Sequence, residues 1–356
     1  MVSKILVTGA AGYIGGSIIA HFVSNGIESI EKSQIVAAVR TQEQANSLSV
    51  FGVSVILLDL SSSKDVTEAV QKHNITLVIN TSKSIDDDIA LPLIDALSQH
   101  GKLSGQKTAF IHTSGLGGFT PGSGWPNGPF KDTDSVFEIE KSLADSFPIR
   151  KTDVSVTEYA EEKGVKSFIV VPPLVYGKGT GTWNQLSVVL PVYVKAAIAE
   201  REVHKLDGET RISAVHISDI AILYGLLVDK IRADKPIPNG REGFYFGISH
   251  KISTTETTNA LASALKARGL VDDQKVQIYQ NDDEAARSLG VPTPFVQPIF
   301  NSGDNFTAER SYQIGWKPVW DKTAFLEKID LEVQAVLDLG KAKSTLIDSL
   351  FELSKN

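Results

Sequence analysis

The chain has no cysteine in 356 residues and a single methionine. Disulfides, thiol catalysis and cysteine-held metals are thereby excluded. No apolar run is long enough to cross a bilayer. The N-terminus passes straight into an apolar strand, without the basic, apolar and cleavage-site regions of a secretory signal. The seven histidines are scattered, with no HExxH-like spacing, so no metal is expected. Lys and Arg (35) are outnumbered by Asp and Glu (42), and a net charge of −7 argues against general nucleic-acid binding. These absences predict a soluble cytoplasmic protein with neither nucleic acid nor membrane as partner.

What is present begins at the N-terminus. Ile5–Val7 reads as a short apolar strand, and from Ile14 the apolar residues switch to helical spacing (Ile14, Ile18, Phe22). Gly9, Gly12 and Gly15 sit at the turn between the two periods. Gly9 suits a tight turn, Gly12 lets a pyrophosphate approach the backbone, and Gly15 lets the helix pack on the strand. Ala11, Tyr13 and Ile14 supply the intervening amides, and a helix N-terminus holds an anion. A dinucleotide is the expected cofactor.

Further runs at Ile35–Val39, Val53–Leu58, Leu77–Ile79, Ala109–Ile111 and Phe168–Val171 alternate with helical stretches. They lack strict alternation, which suits parallel strands buried on both faces. The expected fold class is α/β, a doubly wound parallel sheet (Rossmann) with a smaller C-terminal substrate-binding region. Residues 1–177 are assigned to the dinucleotide domain, completed by 205–235, and 178–356 mainly to the substrate region. Ser84 with Asp86–Asp88 predicts a helix start. Gly115–Pro129 and Gly177–Thr182 read as loops.

The second strand ends in Arg40-Thr41, where an acid would favour NAD. A guanidinium beside a hydroxyl suits a 2′-phosphate, which predicts NADP over NAD. Stacking on adenine is an alternative for Arg40. Asp59-Leu60, after the third strand, is placed either to meet the adenine edge or to cap a helix.

The loop Thr8-Gly-Ala-Ala-Gly-Tyr-Ile-Gly15 resembles that of the extended short-chain dehydrogenase/reductase superfamily. Later segments extend the resemblance over nearly the whole chain. Asn80-Thr81-Ser82 matches the family's inner-ribose segment, and Thr113-Ser114 its catalytic Ser or Thr position. Pro172-Pro173-Leu174-Val175-Tyr176-Gly177 is similar to the segment beside the nicotinamide. Val215–Ala221 and Ile314–Pro318 are similar to the "VHVxDxA" and "LGWxP" stretches of epimerase-type members. Atypical members, NmrA-like and epimerase/dehydratase-like, fit best. The resemblance implies Pro172, Val175, Thr81, Ser82 and Thr113 as cofactor contacts and Ser114 as a catalytic hydroxyl.

The family's chemistry needs a Tyr, with a Lys four residues later, near that Ser. The literal match here, Tyr159 and Lys163, is followed at once by Gly164, which reads as a helix end. That places the pair at the sheet edge opposite the cofactor. Counting forward from Ser114 reaches Phe137 and Lys141, and counting back from Pro172 reaches Asp145 and Ile149. Pro148 starts a helix near Ser146 and leaves 137–141 as a separate short one. No Tyr stands in the expected position. Ser114, Lys141 and Tyr176 remain as catalytic candidates, and Lys83 as a further cofactor contact. His112 and His216 read as core histidines. Trp125, Phe130, Trp183, Tyr193, Phe295 and Phe300 are candidate walls of a cavity for a bulky or aromatic small molecule. The partners expected are that small molecule and, at most, a second copy of the chain.

The predicted activity is NADP-dependent reduction of a carbonyl, imine or conjugated alkene of a small organic molecule. Two alternatives share the fold: a dinucleotide-binding redox sensor without turnover, and a non-redox isomerase, lyase or cyclase.

Overall fold

A computed structural model describes residues 2–24, 30–344 and 346–355. The strands are β1 (Lys4–Thr8), β2 (Ile35–Val39), β3 (Ser54–Leu57), β4 (Ile75–Asn80), β5 (Ala109–Thr113), β6 (Phe130–Lys131), β7 (Lys166–Val171), β8 (Leu174–Tyr176), β9 (Val203–Lys205), β10 (Arg211–His216), β11 (Phe244–Phe246) and β12 (His250–Ser253). The first eight helices are α1 (Tyr13–Ser24), α2 (Gln42–Leu48), α3 (Ser63–Lys72), α4 (Ala90–Ser104), α5 (Val136–Ser142), α6 (Pro148–Lys163), α7 (Val189–Glu200) and α8 (Ile217–Arg232).

Seven strands form one parallel sheet in the order β3-β2-β1-β4-β5-β7-β11. The fold class is therefore the expected one. The central strands carry β-branched and other apolar residues on both faces because helices cover both. Val36, Val78, Phe110 and Ile169 face one core layer, while Ile5, Val7, Ile79 and Ile111 face the other. The edge strand β11 arrives from beyond the 205–235 stretch, and α8 packs against α1.

A second, smaller sheet, β12-β10-β8, leaves the first immediately after Pro172-Pro173. Its core is Leu174, Tyr176, Ile212 and Ile252 with the C-terminal helices Lys322–Glu327 and Asp330–Leu339. Among the described residues no helix is long and apolar enough to cross a membrane.

Two local expectations resolve differently. The helix predicted at Ser84 begins instead at Ala90. Asp86 accepts from the Asp88 amide at 2.9 Å and from Lys83 Nζ at 2.9 Å, so its carboxylate holds a turn rather than a first helical turn. Trp125 and Phe130 pack with Phe119 and Phe306 in an aromatic core cluster, which takes Trp125 out of the cavity wall. The α5–α6 boundary follows the sequence: Pro148 opens α6 at its first position, and Gly164 closes it in the left-handed region (φ 72°).

Candidate functional site

The first turn after β1 is built by close approach. Gly9 has φ +64°, and a Cβ there would lie 2.6 Å from Thr81 Oγ1. A Cβ on Gly15 would collide with Gly9 O and Thr81 Oγ1. The Gly12 amide donates to Gly9 O at 2.7 Å, which closes the loop ahead of α1. Thr81 Oγ1 donates to Thr8 O at 2.8 Å and ties the ends of β1 and β4 together. Beside it, Ser82 Oγ is buried with no partner among the described residues. A side-chain-free cradle at a helix N-terminus, next to an orphan hydroxyl, fits a pyrophosphate and ribose.

Around the cradle, Arg40 is exposed at the end of β2, its amide held by Gln44 Oε1 at 2.9 Å. Thr41 caps α2 by accepting from the Gln44 amide. Asp59 is also exposed, but its carboxylate accepts from the Ser61 amide (2.9 Å) and hydroxyl (2.7 Å). Those two donors hold its pKa below the usual value. Leu60 is half-buried against the core, and Lys83 Nζ is engaged by Asp86. Pro172 O accepts from the Leu116 amide at 2.9 Å, Val175 pairs with Val215 in the small sheet, and Thr113 Oγ1 bonds Tyr224 OH at 2.6 Å.

The end of β5 holds a buried polar chain. Ser114 Oγ donates to Asp153 Oδ2 on α6. Asp153 Oδ1 lies 3.5 Å from His112 Nε2, and His112 Nδ1 lies 3.2 Å from Asn80 Nδ2. Asn80 Oδ1 accepts from Thr8 Oγ1 at 2.6 Å. Glu140 of α5 interacts directly with Asp153, and both are 0 % exposed. Two facing buried carboxyls cannot both ionise, so one proton between them satisfies both. Burial and the Asp153 charge push Glu140 well above the carboxylate range, so it is the protonated partner. Burial raises Asp153 to about 7, opposed by the hydrogen bond from Ser114 and by the neighbouring Glu140 carboxyl. Burial also holds His112 neutral, with its pKa near 4. Ser114, 6 % exposed, is where this chain approaches the carboxyl edge of the sheet.

Arg150, one turn before Asp153, is fully buried. Its Nη1 donates to Gly118 O (2.6 Å), its Nη2 to Ser123 O (2.7 Å) and Ser146 Oγ (2.8 Å), and its Nε to Leu143 O (3.2 Å). The guanidinium thus fixes the loop that follows β5.

A family model described as NAD(P)H-binding matches residues 9–208, more than half of the chain. The chain belongs to this NAD(P)H-binding family. No protein of curated function matches the sequence. Among solved structures, UDP-glucose 4-epimerase of Thermotoga maritima, bound to UDP-glucose, is 15% identical with a TM-score of 0.62, covering 96% of this chain and 100% of that one. The dTDP-glucose 4,6-dehydratase of Bacillus anthracis, in complex with NAD, is 14% identical (TM-score 0.64; 95% and 97% covered). The terminal R domain of the myxalamid PKS-NRPS pathway is 15% identical (TM-score 0.65; 96% and 92% covered). These likenesses establish the epimerase/dehydratase type of fold.

Within this NAD(P)H-binding chain the remaining candidates are dispersed. Lys141 Nζ reaches Glu158 at 2.6 Å on the surface and is not brought to Ser114. Tyr176 is buried among His216, His250, Trp320 and Phe325 in the small sheet's core. Lys163 Nζ lies over the Tyr159 ring at 4.8 Å, at the end of α6 remote from Ser114. His216 caps α8 by accepting from the Ser218 amide, and its ring stacks on Trp320 at 3.9 Å. Sequence reasoning missed Asp153 and Glu140, which read as ordinary helix acids. The available signal was Arg150, Asp153 and Thr157, three polar residues on one face of a helix that is otherwise buried there.

Proposed function

We propose that the chain is an NADP-dependent oxidoreductase that reduces a carbonyl, imine or conjugated alkene of a small organic molecule. The observation that carries this reading is the Ser114–Asp153 hydrogen bond at the carboxyl end of β5, backed by a second buried carboxyl. Exposed Arg40, with no acid on the end of β2, supports NADP over NAD.

A bound reduced dinucleotide supplies hydride to the substrate carbon. Ser114 Oγ–H supplies the matching proton to the substrate. Asp153, when protonated, returns a proton to Ser114, leaving its carboxylate beside neutral Glu140. One hydride and one proton complete the two-electron reduction. When Asp153 is ionised, Ser114 donates inward and has no proton to offer outward. The pair thus takes over the task a tyrosine would perform, without a phenol.

The test is NADPH oxidation against a panel of carbonyl, imine and enone substrates, with Ser114→Ala as control. Turnover that falls about 100-fold in Ser114→Ala supports the reading. Turnover unaffected by the substitution overturns the proton path. Tight NADPH binding with no turnover of any substrate favours a sensor instead, and product without net cofactor change favours an isomerase or lyase.

A further inference from the structure

A cavity of about 370 Å³ lies away from the dinucleotide cradle, between β8, the start of α8 and the C-terminal helices Lys322–Glu327 and Asp330–Leu339. None of its walls comes from the glycine loop, the end of β4 or the end of β5. Its size falls in the small-molecule range. Trp320, Phe325, Leu331 and Ala335 give it apolar walls.

Two buried polar groups meet there. Tyr176, 2 % exposed, has a hydroxyl with no hydrogen-bond partner among the described residues. A buried hydroxyl without a partner is unusual in a folded protein, and a polar group from outside the chain would satisfy it. Glu332, 6 % exposed, lines the same space. Its Oε1 accepts from the Gly177 amide at 2.6 Å, and its other oxygen has no such bond to the backbone. The Gly177 carbonyl in turn accepts from Tyr13 OH at 2.7 Å, so one residue is bonded on both sides and holds the floor in place.

The charges around this floor are unequal in depth. Glu332 is buried, and the carboxylates of Asp219 and Asp321 also act on the Tyr176 hydroxyl. The two lining lysines, Lys178 and Lys328, are exposed, and Asp338 shares their rim. The deep end is therefore acceptor-rich within aromatic walls, and it carries negative charge once pH exceeds about 7, where Glu332, raised to that value by burial, ionises. The Lys328 ammonium lies 4.5 Å from the Trp320 ring centre, so that ring is covered by this lysine and by the stacked His216.

We propose that this cavity is a second small-molecule site, for an aromatic primary amine. The ligand's ring lies against Phe325, Leu331 and Ala335, and its ammonium reaches Glu332 and the Tyr176 hydroxyl. The site is distinct from Ser114 and from the glycine cradle, neither of which lines it.

Three probes with one ring and different head groups test it on the full chain without cofactor: 2-phenylethylamine, 2-phenylethanol and phenylacetate, by calorimetry and by quenching of tryptophan fluorescence. The amine is expected to bind at least about tenfold more tightly than the alcohol, with phenylacetate weakest. In Glu332→Gln the amide carbonyl still accepts from Gly177, so the fold is retained, while the amine's advantage over the alcohol falls to within about twofold. Tyr176→Phe weakens the amine and raises the melting temperature, because an unpartnered hydroxyl is removed. Equal binding of the three probes overturns the proposal. So does an amine preference that persists in Glu332→Gln, or binding of none of them at millimolar concentration. All three readouts are made without turnover, so they stand or fall separately from the proposed reductase activity.

Discussion

Ser114 and Asp153 are joined by a hydrogen bond between the end of β5 and the second turn of α6, and Asp153 has no exposure to solvent. A carboxyl held this way titrates near neutrality, far from its ordinary range. The hydroxyl in front of it therefore changes its donor direction with pH.

The rate of reduction is expected to fall as pH rises through about 7, because Asp153 must be protonated to supply Ser114. Oxidation of the corresponding product should show the opposite trend. Asp153→Asn should lower the rate about 100-fold and flatten the profile. A profile that keeps its inflection in Asp153→Asn sinks this assignment.

Glu140 ties stability to pH in a definite direction. Its folded pKa lies above the unfolded value, so the folded state binds more protons than the unfolded chain between the two. Its contribution is full below the unfolded value near 4.5 and is lost as pH rises through the folded one. Asp153 has the same sign over the window from 3.8 to about 7. Urea unfolding at pH 5 and pH 8 should show lower stability at pH 8, and Glu140→Gln should reduce the difference.

Arg40→Ala should weaken NADPH by roughly 10- to 100-fold and leave NADH nearly unchanged, as expected for loss of a charged hydrogen-bond donor worth about 1.5–3 kcal/mol. Titration of both nucleotides against wild type and variant measures it. Equal losses for both would place Arg40 on the adenine rather than on a 2′-phosphate.

Gly15→Ala puts a Cβ into Gly9 O and Thr81 Oγ1. The clash should destabilise the fold by about 1–3 kcal/mol and disorder the cradle. Thermal unfolding and NADPH titration should both register the change. Gly105→Ala is the contrast: nothing lies within 4 Å of a Cβ there, so only the φ of +70° resists it, and NADPH affinity should hold.

The parallel sheet was legible because each of its first strands carries a short unbroken apolar run, and the glycine spacing fell between a strand period and a helix period. Local turn chemistry was less legible. Ser84 and Asp86–Asp88 have the composition of a helix start, but the Asp86 carboxylate satisfies a turn and Lys83, and α4 waits until Ala90. The proton-handling residues were the least legible. Asp153 and Glu140 differ from any exposed helix acid only by what α5, α6 and β5 bury together. That is a tertiary fact with no sequence period. Tyr176 shows the converse: it stands in the Pro172–Gly177 segment, yet its side chain packs in the core of the small sheet and not beside Ser114.

Arg150 bears on how the site opens. The segment from Gly118 to Ser123 stands over the end of β5, and its backbone carbonyls are the guanidinium's acceptors. Swinging that segment outward would take the Gly118 and Ser123 carbonyls from the guanidinium, two hydrogen bonds to a charged group worth about 1.5–3 kcal/mol each. The swung-out form would then be populated in about one molecule in 150 or fewer. The loop beyond Ser114 is in effect a frame rather than a flap, and amide exchange in 118–123 should be as slow as in the strands that precede and follow it.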